Sequence, residues 1–252
     1  MTIFAAMFQF KCYRRFIFQF IILSFLPLMV FAQEEKASAF VMESLTYKFH
    51  SKWNAYIEIQ QRALEDLPTI DYYEFKGGVT YFITPQHQPF IGMGRYVTYK
   101  DGDASREEFR MWIQYVFSHN LGRIKFEHRG RAEQRFFHNP QTDENTTANR
   151  YRYRLNISAP VNNPKMQPKT FFLNTFNEIF FVNESPSFAR NRFYFGGGYQ
   201  FSKLFTLGLG YMNQKEFSDS GDKIYHFAYM ALNFTIGNSS SKEQVPHTPV
   251  AD

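Results

Sequence analysis

The chain has 252 residues, with 28 Lys and Arg against 23 Asp and Glu, a formal charge of +5 and a single cysteine. One cysteine excludes an internal disulfide framework and a multi-thiolate metal site. After residue 32 no apolar stretch approaches 18 residues, which excludes a helical membrane protein.

At the N-terminus, Lys11, Arg14 and Arg15 precede an uncharged run from Phe16 to Phe31, and the chain turns polar at Gln33, Glu34 and Glu35. A basic segment, a short apolar core and small residues at Val30 and Ala32 form a secretory signal peptide, cut after Ala32. The competing reading is an uncleaved membrane helix, but the run falls short of the roughly 20 residues needed to span and Pro27 interrupts it. Residues 1–32 hold three basic residues and no acidic ones, so cleavage lowers the 28 basic residues to 25 and the net charge from +5 to +2. The high isoelectric point therefore gives little support to nucleic-acid binding. Cys12 leaves with the signal, which excludes a lipidated thiol in the mature chain.

A short segment, residues 33–39, leads into a region of period-two alternation over 40–236. Eleven alternating segments follow: 40–49, 52–63, 71–83, 89–99, 107–118, 122–137, 148–159, 170–182, 189–202, 204–214 and 223–236. Most hold 10 to 14 residues. A tilted strand crosses a bilayer in about 9–11 residues, whereas soluble strands stop near 5–6. In the plainest segment Arg123, Lys125, Glu127, Arg129, Arg131, Glu133 and Arg135 share one face, with Ile124, Phe126, His128, Gly130 and Ala132 on the other. The next repeats the pattern: Arg150, Arg152 and Arg154 oppose Tyr151, Tyr153 and Leu155. Further on, Arg190, Arg192 and Tyr194 oppose Phe193 and Phe195.

In hydrocarbon, strands satisfy their backbone groups only in a closed barrel. The expected fold is thus all-β, a transmembrane antiparallel up-and-down barrel with its apolar face outward. A soluble barrel would invert the faces; strand length, the signal peptide and the aromatic-rich opposite face favour the membrane. Bacterial single-chain barrels have even strand numbers, so twelve strands are expected, with residues 33–39 joining a twelfth, and ten as the next choice. Short turns at His50-Ser51, 85–87, 119–122 and Ser202-Lys203 alternate with longer loops at 64–70, 101–106, 138–147, 183–188 and 215–222. Such asymmetry separates the two ends of an outer-membrane barrel. A polar tail, 237–252, follows the last strand and is expected to be disordered.

Several stretches occur in an order that resembles one bacterial family. They are Arg129-x-Arg131-x-Glu133-Gln134-Arg135-Phe136, Arg150-Tyr151-Arg152-Tyr153-Arg154-Leu155, Asn177-Glu178-Ile179-Phe180-Phe181, Asn191-Arg192-Phe193-Tyr194 and Gly210-Tyr211-Met212-Asn213-Gln214. Together they resemble the uncharacterised outer-membrane barrel family catalogued as domain of unknown function 2490, over roughly residues 40–236. The resemblance implies the fold and a Gram-negative outer-membrane location. It implies no activity.

Consistent alternation lines the lumen with Arg110, Arg123, Lys125, Arg129, Arg131, Arg135, Arg150, Arg152, Arg154, Arg190 and Arg192, joined by Arg62 and Lys76. Glu58, Glu74, Glu108, Glu127, Glu133 and Glu178 face them. Three roles fit such a lumen: structural Arg–Glu ladders, a small-solute channel leaning toward anions, or a pocket for an anionic glycan, lipid head group or carboxylate. An outer-membrane enzyme acting on lipid or peptide is the alternative from another class. It lacks a nucleophile–base pairing, since His50, His87, His119, His138 and His247 fall in turns, loops or the tail, His128 on the lipid face and His226 at a strand start. No metal site, cofactor motif or nucleic-acid partner is expected. Expected partners are outer-membrane lipid, the insertion machinery during assembly and small anionic solutes. Gly196, Gly197, Gly198, Gly208 and Gly210 are read as strand positions opposite bulky lumen side chains, or as bends.

Overall fold

The computed structural model describes residues 38–63 and 70–237. The expected signal peptide (1–32), residues 33–37, the loop residues 64–69 and the tail beyond Gly237 lie outside the described residues. The described chain forms β1 (Ser38–His50), β2 (Trp53–Ala63), β3 (Tyr72–Tyr81), β4 (His87–Lys100), β5 (Asp103–Leu121) and β6 (Ile124–Asn139). It continues as β7 (Glu144–Pro160), β8 (Thr170–Val182), β9 (Phe188–Gln200), β10 (Phe205–Glu216) and β11 (Lys223–Ile236). Each strand coincides with one alternating segment, because side chains of opposite polarity at successive positions can be satisfied only by a wall with two different sides.

Neighbours in sequence pair antiparallel all the way round, and β1 closes the barrel against β11. Among the described residues the wall has eleven strands, close to the expected twelve. With an odd number of alternating strands the first and last must run the same way, so this seam is parallel, from Ser38 opposite Phe227 to Tyr47 opposite Ile236. A parallel ladder pairs its backbone groups with slanted bonds, so closure at eleven still leaves no open edge.

The wall separates two chemistries. Outside, Ile57, Ile91, Met93 and Ile113 form an exposed apolar belt, with Ile113 at 65% exposure. Inside, Glu58, Lys76, Arg110 and Glu133 are buried. That polarity is the reverse of a soluble barrel and matches a wall that faces hydrocarbon. Aromatic pairs mark the rims: Trp53–Tyr81 and Phe171–Tyr199 at the end where β1 turns into β2, and Tyr73–Tyr99 and Phe181–Phe188 at the opposite end.

The expected contrast between short and long connections is only partial. β4 and β5 are joined by Asp101-Gly102 alone, both at positive φ (54° and 91°), the geometry of a tight two-residue hairpin. The nine-residue connection 161–169 instead sits among the short turns. Its Asn162 and Asn163 amides donate to the Lys169 carbonyl at 3.0 and 3.3 Å, which ties it down.

One side of the lumen is apolar. Phe40, Met42, Phe176, Tyr194, Met212, Phe227, Tyr229 and Ala231 pack together there. Tyr194 lies flat against the wall because Gly196 and Gly210 leave it room. A Cβ on Gly196 would stand 2.3 Å from both the Tyr194 hydroxyl and the Leu209 carbonyl.

Candidate functional site

The other side of the lumen is ionic, and its arrangement follows from strand register. β6 and β7 place Arg129 opposite Arg154, Arg131 opposite Arg152 and Glu133 opposite Arg150. β8 places Glu178 opposite both Arg154 and Arg192. Like charges facing each other across a ladder repel, so the site depends on carboxylates set between the guanidiniums. Glu133 receives Arg150 Nε at 2.5 Å and Arg152 Nη1 at 2.9 Å, with Arg131 Nη1 at 3.5 Å. Glu178 receives Arg129 Nη2 at 2.5 Å and lies 2.8 Å from Arg152 Nη2 and 3.9 Å from Arg192 Nη1. Arg152 therefore bridges the two carboxylates.

Aromatic faces take up part of the remaining charge. The Phe180 ring has the guanidinium carbons of Arg150, Arg152, Arg190 and Arg192 at 5.4, 4.5, 5.4 and 5.3 Å from its centroid. Cation–π contacts contribute about 0.5–1 kcal/mol each when exposed and about 2 when desolvated. Arg154 lies over Phe176 at 5.2 Å.

Two smaller ionic groups flank this layer. Glu108 is forked by Arg110 Nε at 2.5 Å and Arg135 Nε at 2.7 Å. On β2 and β3, Lys76 Nζ joins Glu58 at 2.8 Å and Glu74 at 2.5 Å, while Tyr56 and the Gln60 amide also donate to Glu58.

Glu178 is 0% exposed, Arg192 and Phe180 are 1% and Arg152 is 4%, so this layer of side chains is tightly packed. Two recesses lie among the described residues. One, about 200 Å³, opens at the β1–β2 end and has Arg129, Arg131 and Arg154 among its lining. The other, about 320 Å³, opens at the opposite end and is lined by Arg135, Arg150, Arg190 and Glu216.

Most of the arginines and carboxylates selected by alternation converge here. Arg110, Lys125, Glu127, Arg129, Arg131, Glu133, Arg150, Arg152, Arg154, Glu178 and Arg192 are all buried in the lumen. Arg135 and Arg190 sit half-buried at the far recess, where Arg190 pairs with Glu216 at 2.5 Å. Arg123 differs from the expectation: it is exposed in the two-residue turn between β5 and β6 rather than buried on a strand. Alternation carried one residue too far cannot register that the chain has already reversed.

Sequence reasoning placed most aromatic residues on the lipid face and so missed Phe176 and Phe180, which share the inward parity of Glu178 on β8. Both faces of that strand carry phenylalanine, and the glutamate is the signal that tells them apart. Among the described residues the histidines lie on turns or the outer wall: His87 and His128 bond the Tyr115 and Tyr153 hydroxyls at 2.6 and 2.8 Å, and neither recess is lined by one.

The family model described as Protein of unknown function (DUF2490) matches residues 37–225. No curated protein matches the chain. Among solved structures, LpxR from Salmonella typhimurium aligns at a TM-score of 0.43 and 7% identity, covering 73% of this chain and 84% of that one. At that distance no residue role carries across.

Proposed function

This chain belongs to the DUF2490 family of proteins of unknown function, and from that premise we propose that it is a non-conducting outer-membrane barrel, its lumen a structural core that leaves a shallow recess at each end. The apolar outer belt, the rim aromatics and the signal-peptide pattern support an outer-membrane location. The packed layer around Glu178, Glu133 and Phe180 carries the reading of the lumen. A porin needs a continuous aqueous path, and side chains with almost no exposure in the middle of the barrel favour a closed lumen over one.

Single-channel recording on the refolded mature chain in a planar bilayer tests this. The expected trace is flat at voltages the membrane tolerates, with the barrel shown to be inserted by its protection from added protease. Discrete steps with anion preference, abolished by neutralising Arg152, would instead establish a channel through the arginine layer.

A further inference from the structure

The connections between strands sort by charge. Those at the β1–β2 end span residues 51–52, 82–86, 122–123, 161–169 and 201–204, and those at the opposite end 64–71, 101–102, 140–143, 183–187 and 217–222. Among the described residues the first set carries Lys52, Arg123, Lys165, Lys169 and Lys203, all exposed, with no aspartate or glutamate. The second set carries Asp71, Asp101, Asp143, Glu184, Asp219 and Asp222, with no lysine or arginine. The strand ends beside the second set mix the signs, with Lys100 and Lys223 as well as Asp103 and Glu144. At the β1–β2 end they add Lys48, and the first carboxylate met along β6, Glu127, is buried and held by Lys125 at 2.9 Å.

The basic residues stand next to the rim aromatics. Lys52 adjoins Trp53, whose ring lies 4.7 Å from that of Tyr81. Lys169 comes two residues before Phe171, 4.4 Å from Tyr199, and Lys203 two before Phe205, 5.0 Å from Phe234. Arg123 is three residues from Phe126, which stacks on His119 at 5.0 Å. Aromatic girdles mark the border between hydrocarbon and headgroups, so in a bilayer basic side chains in the adjoining turns meet phosphate. The five cations occupy the turns between β1 and β2, β5 and β6, β7 and β8, and β9 and β10, and so are spread around the rim rather than gathered on one side. One compact ligand cannot reach cations placed in this way, whereas the lipids that surround a barrel can. Attraction to an anionic membrane surface grows about fivefold for each Lys or Arg held near it.

We propose that the β1–β2 end of the barrel is a docking ring for anionic phospholipid headgroups, in which Lys52, Arg123, Lys165, Lys169 and Lys203 hold the phosphodiesters of the leaflet at that end. The acidic connections of the opposite end repel the same lipids, so the two rims gather different lipid. The proposal rests on the membrane placement of the barrel, because only a belt facing hydrocarbon sets these turns among headgroups.

Trp53 reports on this rim. The chain has two tryptophans, so Trp112→Phe leaves Trp53 as the sole indole. That barrel is refolded into equimolar vesicles of phosphatidylglycerol and phosphatidylcholine, with brominated chains carried by one lipid or by the other, and quenching of Trp53 gives the relative affinity of the two at the rim. A preference for phosphatidylglycerol of about fivefold is expected at low salt. It should fade in about 0.5 M sodium chloride, where charges are screened within a few ångströms. Neutralising the ring with Lys52→Gln, Arg123→Gln and Lys203→Gln together should abolish it, while Asp143→Asn with Asp219→Asn at the opposite end should leave it unchanged. Should Trp112→Phe fail to fold, the wild-type barrel decides, since Trp112 is 4% exposed inside the wall and out of reach of lipid chains. Equal quenching by both lipids, or a preference that survives the triple substitution, overturns the headgroup ring and leaves the basic end to a soluble polyanion, with the membrane placement intact. Trp53 quenched by neither lipid overturns that placement and the ring together.

Discussion

In a cluster with more cations than anions, losing an anion should cost more than losing a cation, and Glu178 and Arg152 allow that to be measured. Glu178→Gln keeps the shape of the side chain and an acceptor oxygen, so packing is preserved and only charge is lost. Arg129, Arg152 and Arg192 lie 2.5, 2.8 and 3.9 Å from that carboxylate. At an effective dielectric near 20, a unit pair at about 4 Å is worth about 4 kcal/mol before desolvation. These attractions vanish together while the repulsion among the guanidiniums stays. Removing one partner of a buried pair costs about 3–5 kcal/mol, and that range is expected here. Arg152→Met removes two attractions but also relieves Arg129, Arg131, Arg150 and Arg192 of a like charge, and its long apolar chain can lie on Phe180. Its expected cost is under about 2 kcal/mol. Glu107→Gln serves as control, since its partner Arg95 is 2.8 Å away with 65% of its side chain exposed, and exposed pairs contribute about 0–1 kcal/mol. Urea titration of the barrel in lipid vesicles, followed by tryptophan emission, gives all three values on one scale. If Arg152→Met proves costlier than Glu178→Gln, or Glu178→Gln matches the Glu107→Gln control, the cluster is not short of anions and the charge argument fails.

The other expectations can be checked more briefly. Bilayer recordings of the wild-type barrel should be silent. Gly196→Val should destabilise the barrel by about 1–3 kcal/mol in the same urea titration, because its Cβ would stand 2.3 Å from the Leu209 carbonyl and the Tyr194 hydroxyl; an unchanged midpoint would mean that Tyr194 has room to move. A cysteine at Tyr153, 44% exposed on the outer wall, should react with a lipid-soluble maleimide. One at Lys203, exposed in the turn between β9 and β10, should react with a membrane-impermeant reagent, and reversed labelling would invert the assigned faces.

The strands were legible because a two-sided wall imposes period two wherever the sides differ in polarity. On β6 and β7 one face is charged almost without interruption, so every inward residue from Lys125 to Arg154 could be assigned by parity. On β8 the two faces are both aromatic, and Phe172, Phe176 and Phe180 differ from Phe171 and Phe181 only through the parity of Glu178. Turns were less legible for the converse reason. Asp101-Gly102 is a strong hairpin signal, yet the polar residues after it read as more loop, although Asp103–Arg106 already belong to β5. Arg123 shows the opposite error, a turn residue whose charge happened to continue a strand pattern.

What alternation cannot carry is the neighbour across the lumen. Parity says that Arg131 and Glu178 both point inward, but whether they fill the barrel or line a channel depends on strand number, stagger and the bulk of every inward side chain at once. Closure at eleven strands with a parallel seam, and phenylalanines inserted between arginines, together turn an arginine-rich face into a packed core. The sequence pattern alone is equally compatible with a wider, wetter barrel. Once the wall closes at this width, the excess of guanidinium over carboxylate becomes a physical problem confined to a small volume.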